Sequence, residues 1–136
     1  MKIEERFWSK VYSIPAPAHR PGLGSCWLWT GAVLKGNGRN AGGGRGYGQF
    51  RVGLKANGQQ HMKGSHVWAW EQENGPVPAG LELDHLCFIR ACVRPSHLEP
   101  VTGTENQRRA GTVEAVVARH GVWFSWAETA KSCHAA

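Results

Sequence analysis

The sequence lacks the features that mark membrane and exported proteins. No apolar run in its 136 residues approaches the ~20 residues that a membrane-spanning helix requires. The first ten residues, MKIEERFWSK, are charged and contain no apolar core of a signal peptide. No internal repeat is present. We therefore expect an intracellular protein without a membrane partner, built around one compact domain.

Acidic residues are absent between Arg6 and Trp70, a stretch that contains nine basic residues. Residues 71–136 contain six basic and eight acidic residues, so the first half holds the basic excess behind the net charge of +6. A surface that serves only solubility usually mixes both signs. The stretch is therefore typical of a surface that follows the phosphates of a nucleic acid, although loop composition alone could produce the same excess.

Cysteine is scarce, with four residues, whereas glycine is abundant, with 18. In a reducing compartment, a few cysteines indicate a metal site before they indicate disulfides. A short, glycine-rich domain also builds only a modest apolar core, so a structural ion would help it to fold.

The order of sequence patterns predicts an α+β fold of small antiparallel hairpins and short helices. We divide the chain into an amino-terminal helix and connector (1–25), a basic antiparallel sheet (26–64), a catalytic core with a metal loop (65–120) and a tail (121–136). The elements expected are a helix over 3–12, a connector over 13–25, strands over 26–30, 47–54, 59–64 and 81–83, an irregular loop over 87–97, and helices over 65–73 and from 103 to about 120.

Three metal-binding residue types are evenly spaced on the irregular loop: Cys87, Cys92 and His97. Zinc prefers four such ligands in a tetrahedron, and Cys26, at the start of a predicted strand, is the simplest fourth. A site closed by four protein ligands would be structural. The alternative is that these cysteines are ordinary buried thiols.

Three further residues near this loop have side chains suited to proton transfer or to binding Mg²⁺. A fixed, neutral imidazole at His85 would be well placed to take a proton from water. The carboxamide oxygen of Asn106, in the first turn of a predicted helix, is a hard ligand suited to Mg²⁺, and the Asp84 carboxylate could reach the same ion. Each of the three also has a purely structural explanation.

At these residues the sequence resembles the HNH endonucleases of the His-Me finger (ββα-metal) superfamily, in the zinc-bound branch that includes phage and homing enzymes. The resemblance spans roughly Phe7 to Arg109. It rests on CWLWTG at 26–31, GYGQF at 46–50, SH at 65–66, NGPVPAGLELDHLC at 74–87, CVRPSHLEPVT at 92–102 and ENQRR at 105–109.

The resemblance implies a ββα-metal core that hydrolyses phosphodiesters in double-stranded DNA, with one catalytic Mg²⁺, replaceable by Mn²⁺, and one structural Zn²⁺. It implies that His85 is the general base, that Asn106 is a Mg²⁺ ligand, and that Cys26, Cys87, Cys92 and His97 bind zinc. Asp84 is a less regular Mg²⁺ ligand in the superfamily. Arg94 stands where the family often has Asn, which would add charge near the site.

A two-stranded ribbon can enter the major groove, so the hairpin between 47 and 64 is the expected DNA-reading element. Arg51 and Lys63 are the leading candidates to neutralise the phosphate during catalysis, and Arg51 is counted among the catalytic residues. The sequence leaves the register of the hairpin open. The expected DNA contacts are Arg45, Gln49, Arg51, Gln59, His61, Lys63 and Arg94.

Two other functions fit the same residues. A zinc-stabilised DNA-binding module without catalysis would need neither His85 nor Asn106, and a nicking enzyme would cut only one strand. A double-strand cut with one site per chain would require a homodimer, for which the aromatic tail (Trp123, Phe124, Trp126) is a candidate contact. Cys133 is left without a predicted role.

Overall fold

The computed structural model describes residues 1–33, 47–112 and Ala115. Three helices and six strands make up this part of the chain, with single 3₁₀ turns at Pro21–Leu23 and Pro95–His97. The elements are α1 (Ile3–Trp8), β1 (Val11–Ile14), β2 (Cys26–Trp29), β3 (Gln49–Leu54), β4 (Gln60–Gly64), α2 (Ser65–Asn74), β5 (Leu81–His85), β6 (Leu98–Thr102) and α3 (Gly103–Ala110).

The strands form three separate antiparallel pairs, β1 with β2, β3 with β4 and β5 with β6. The β3–β4 hairpin turns through the residues that the Asn-Gly dipeptide predicted, and its register shifts between Arg51 and Gly53. The predicted α+β class with small antiparallel sheets is confirmed.

An aromatic cluster forms the largest core. Phe7 of α1 is fully buried, and its ring centroid lies 4.8 Å from that of Trp29 and 4.4 Å from that of Trp68. Phe50 of β3 closes the cluster, 5.0 Å from Phe7. These four rings tie α1, β2, β3 and α2 together, so the aromatic residues stabilise a chain with short elements.

Two expectations for secondary structure were wrong in detail. The first helix ends at Trp8 instead of continuing to residue 12, because the following Val11–Ile14 segment, with β-branched and aromatic side chains, pairs with β2. Leu98–Thr102 was not expected to be a strand, yet it pairs along its whole length with β5. The secondary structure of both segments depends on pairing with another strand, which the local sequence pattern does not show.

The β5–β6 hairpin leads directly into α3, which packs back against both strands. The helix begins as predicted, because the Thr102 hydroxyl accepts a hydrogen bond from the Glu105 backbone N–H at 3.1 Å. The structure describes this helix to Ala110, so the predicted extension to about 120 lies largely outside the described residues. The predicted tail contact, Cys133 and Arg45 lie outside them as well.

Gly48 is a position where only a hydrogen can be accommodated. A methyl group there would lie 2.1 Å from the Ser65 Oγ and 2.3 Å from Trp29 Cδ1. We expect Gly48→Ala to lower the free energy of unfolding by about 1–3 kcal/mol through overpacking. Thermal unfolding of Gly48→Ala and of Gly53→Ala, whose added methyl group would meet nothing within 4 Å, would test this. Equal midpoints for the two variants would contradict it.

No helix in the described ranges is long and apolar enough to cross a membrane.

Candidate metal centre and catalytic cleft

The four predicted zinc ligands come together in one buried cluster. One donor atom each from Cys26, Cys87, Cys92 and His97 lies within 4.8 Å of all the others. The His97 Nδ1 is 3.5 Å from the Cys26 sulfur and 3.6 Å from the Cys92 sulfur. Three sulfurs and one imidazole nitrogen at such separations fit a tetrahedral zinc ion and leave no position for water.

Separate elements bring these ligands together. Cys26 begins β2, Cys87 follows β5, and Cys92 lies opposite Leu28 in an isolated β-bridge. His97 ends the second 3₁₀ turn, and its Nε2–H donates to the Leu23 carbonyl at 2.8 Å. This hydrogen bond leaves Nδ1 as the metal-binding nitrogen, an arrangement that metal-bound histidines commonly show.

The three thiols influence one another strongly. Hydrogen bonds from the thiols of Cys26 and Cys87 hold the pKa of the Cys92 thiol well below its usual range. Hydrogen bonding among the same sulfurs raises the pKa of the Cys87 thiol. The cluster therefore stabilises a thiolate at Cys92, and thiolates are the form in which cysteine binds zinc.

His85 lies at the end of β5, directly before this cluster, and is 5% exposed. Its Nε2–H donates to the backbone carbonyl of Cys92 at 3.0 Å, so the neutral ring has its lone pair on Nδ1. Burial lowers the pKa of His85, which favours the neutral form. The ring is thus fixed in the protonation state that a general base requires.

A cleft of about 810 Å³ opens beside His85. Two residues of its wall, Tyr47 and His66, have ring centroids 5.7 Å and 4.9 Å from the His85 ring. Asn106 of α3 also lines the cleft, whereas His85 is not among its lining residues. The polar lining consists of Tyr47, His66, Glu82, Arg90, Asn106 and Gln107.

The oxygen donors of the cleft lie between β5 and α3. The Asn106 Nδ2 donates to the Glu82 carboxylate at 2.7 Å, which leaves the amide oxygen of Asn106 available to a cation. Asp84 lies two residues along the same strand, but the Arg109 guanidinium is 3.1 Å from its carboxylate. Asp84 and Arg109 line a separate cavity of about 400 Å³. In this arrangement Glu82, rather than Asp84, is the carboxylate next to Asn106.

The hairpin residues predicted to contact DNA are divided between the two faces of the β3–β4 pair. Gln49 and Arg51 alternate with the buried Phe50 and point away from the core. Lys63 lies opposite Phe50 and forms an ion pair with Glu71 at 2.5 Å. Gln59 and His61 are exposed near the turn. The exposed Arg51 does not line the cleft.

Arg94 has a local role in this structure. Its guanidinium donates to the Ser25 carbonyl at 2.8 Å and lies over the Trp27 ring, 4.9 Å from the centroid. Arg94 therefore links the loop between β5 and β6 to the connector before β2. The basic residue of the same loop that faces the cleft is Arg90, whose guanidinium carbon is 5.5 Å from the centroid of the Tyr47 ring.

Of the six polar residues that line the cleft, only Asn106 was singled out from the sequence; the others include Glu82, Arg90 and His66. Glu82 precedes Asp84 by two residues, so strand alternation would have placed both on one face once the strand was extended to His85. His66 stood within the SH pair of the resemblance but had no role there. Arg90 lies in a loop whose direction no periodicity indicates.

Comparison with known proteins bears on this part of the chain. Residues 63–108, from the end of β4 through most of α3, match the family model described as HNH endonuclease. The predicted resemblance is confirmed for this segment. The HNH segment, residues 63–108, contains His66, His85 and Asn106 together with three of the four cluster ligands.

A relative from a phage supports the same relationship. A stretch of 54 residues is 39% identical to the uncharacterized gene 5.3 protein of Enterobacteria phage T3, covering 40% of this chain and 54% of that protein. The chain therefore matches about half the length of this relative. No solved structure gave a significant match.

Proposed function

We propose that the protein is a metal-dependent DNA endonuclease in which His85 is the general base. The observation that carries this proposal is the fixed, neutral imidazole of His85, which the Cys92 carbonyl holds in contact with His66, a wall residue of the cleft that contains Asn106. A zinc-stabilised module that only binds DNA would have no use for this arrangement.

In the proposed reaction, water attacks the phosphorus of a phosphodiester and gives up its proton to His85 Nδ1. The bond to the 3′ oxygen breaks, and the leaving oxygen takes a proton from solvent, which gives a 5′-phosphate and a 3′-hydroxyl. Arg90, as the cation of the cleft, neutralises charge on the phosphate in a role that the sequence suggested for Arg51. The Cys92 carbonyl stabilises the imidazolium by accepting its Nε2–H throughout.

The residues beside His85 fit the Mg²⁺ that the resemblance implies. Asn106 and Glu82 offer an amide oxygen and a carboxylate, the hard ligands that Mg²⁺ prefers. When bound, the ion would supply Lewis-acid stabilisation of the phosphate and of the leaving oxygen. Asp84 lies on the same strand face as Glu82 and is the alternative carboxylate. To bind the ion, Asp84 would have to give up its ion pair with Arg109.

Glu82→Gln tests which carboxylate serves the metal. We expect the Mg²⁺ concentration for half-maximal cleavage to rise by about 10- to 100-fold, as is typical when a metal site loses a supporting carboxylate. Titrating Mg²⁺ against the cleavage rate measures this. Glu73→Gln, at an exposed position of α2, is the control. A shift in Asp84→Asn with none in Glu82→Gln would assign the ligand to Asp84 instead.

DNA binding by the hairpin is part of the same proposal. Gln49, Arg51, Gln59 and His61 remain the candidates for contact with bases and phosphates, whereas Lys63 and Arg94 are engaged with Glu71 and Ser25. A homodimer and site-specific, homing-type cleavage are further predictions that depend on the target.

One assay addresses the function as a whole. Incubating the protein with a randomised DNA library and Mg²⁺, and then sequencing the ends, reports activity, specificity, overhang and strand usage together. Breaks on one strand only would establish a nicking enzyme. Binding to the library with no Mg²⁺-dependent breaks would instead establish the non-catalytic module.

A further inference from the structure

The HNH segment contains an imidazole that lines the cleft itself, at His66 in the first turn of α2. Its ring lies 4.9 Å from that of His85 and 5.3 Å from that of Tyr47, measured between centroids. Packing between these two rings restricts its orientation. His66 is therefore a positioned side chain at the same cleft as Asn106 and Arg90.

The hydrogen bonding of His66 differs from that of its neighbour. The His66 Nδ1 is buried and has no hydrogen-bond partner among the described residues. A buried polar atom without a partner is uncommon in a folded protein and calls for an explanation. His85, by contrast, has its Nε2 satisfied by Cys92. The other nitrogen of His66, Nε2, is therefore the one that can form a hydrogen bond to a ligand.

The buried nitrogen also favours one tautomer. A buried N–H without an acceptor costs more than a buried lone pair, so the proton belongs on Nε2. Burial further lowers the pKa of His66 to about 3, which keeps the ring neutral. A neutral imidazole with its proton on Nε2 is a hydrogen-bond donor, and a donor suits an anionic oxygen rather than a metal ion.

We propose that His66 is a catalytic residue whose Nε2–H donates to a nonbridging oxygen of the phosphodiester while His85 removes the proton from water. This inference rests on the proposed function, since it assumes that a phosphodiester occupies the cleft. Arg90, in the loop between β5 and β6, would contact the same phosphate. The phosphate would then accept hydrogen bonds from the charged Arg90 and from the neutral His66.

Three substitutions separate this role from simple packing. The amide nitrogen of Gln reaches the place of the imidazole Nε2, whereas that of Asn reaches the place of Nδ1, and Leu fills similar space without a donor. We expect His66→Leu and His66→Asn to cleave about 10²-fold more slowly, the typical loss of one preorganised donor. His66→Gln should recover most of that rate. Zinc content and thermal unfolding confirm that each variant is folded.

The outcomes that overturn the proposal are distinct. Wild-type rates in His66→Leu would remove His66 from the reaction. Equal losses in the Gln, Asn and Leu variants would assign it to packing against His85, and a better rate with Asn than with Gln would assign the function to Nδ1.

A second measurement does not require cleavage. In the full, zinc-loaded chain with no Mg²⁺ added, a short DNA duplex should shift the Nε2 resonance of His66 in a nitrogen-15 spectrum of the histidine rings. Absence of this shift, with the duplex bound, would overturn the proposal. If the wild-type protein binds the duplex and shifts this resonance but never cleaves, the nuclease function fails while the phosphate contact of His66 stands.

Discussion

Replacing His85 by alanine is expected to slow Mg²⁺-dependent cleavage of plasmid DNA by about 10²–10⁴-fold, the usual contribution of a general base. The loss follows from geometry, because Nδ1 of this ring is the proton acceptor that the Cys92 carbonyl leaves available. Affinity for DNA should persist, since the basic hairpin lies on other elements. Cleavage rates and fluorescence anisotropy with a labelled duplex measure the two quantities separately.

Chemical rescue distinguishes a lost base from a damaged fold. Free imidazole can enter the space that His85→Ala leaves and restore proton transfer, so the rate should rise with imidazole concentration. The same additive should not accelerate Asn106→Ala, whose missing group is an oxygen donor. A His85→Ala variant that cleaves at the wild-type rate would show that another residue is the base.

Cys87→Ser is expected to abolish zinc binding and to leave the chain largely unfolded. Zinc contributes roughly 10–16 kcal/mol to the folding of small metal-dependent domains. The net stability of a whole domain is only ~5–15 kcal/mol, so a chain that loses this contribution has little left. The cluster joins β2, the loop after β5 and the second 3₁₀ turn. Elemental analysis and circular dichroism report the loss.

The matched control is Cys133→Ser, which changes the one cysteine outside the ligand set. It should retain one zinc per chain and the wild-type unfolding midpoint. Stripping zinc from the unmodified protein with a strong chelator should reproduce the effect of Cys87→Ser, and restoring zinc should reverse it. A folded, zinc-free Cys87→Ser protein would show that the cluster is an ordinary group of buried thiols.

The sequence predicted the four members of the cluster because their chemistry is rare and the spacing of three of them is local. Cys87, Cys92 and His97 lie within one loop, and few functions other than metal binding place such residues together. His85 and Asn106 were recognised through neighbouring motifs, and the structure brings Asn106 to the cleft beside His85. The prediction for Cys26 required a fold that returns β2 to this loop, and the structure has that fold.

The sequence was less informative where pairing between distant residues decides the outcome. Asp84 was chosen over Glu82 because it is adjacent to His85, whereas the position of α3 places Asn106 beside Glu82 and Arg109 beside Asp84. Lys63 and Arg94 are positively charged and were expected at DNA, but each has a partner that no local pattern could reveal. Register and helix placement are properties of the whole fold.

Cys92 links the scaffold of the protein to its chemistry. Its thiol belongs to the metal cluster, and its backbone carbonyl orients His85. The cluster therefore cannot be exchanged as an independent module, and an engineer who replaced it with an apolar core would also have to rebuild that carbonyl at 3.0 Å from the imidazole. Oxidants that attack the thiols should likewise abolish the proposed cleavage activity without modifying His85, so that this activity would report thiol damage.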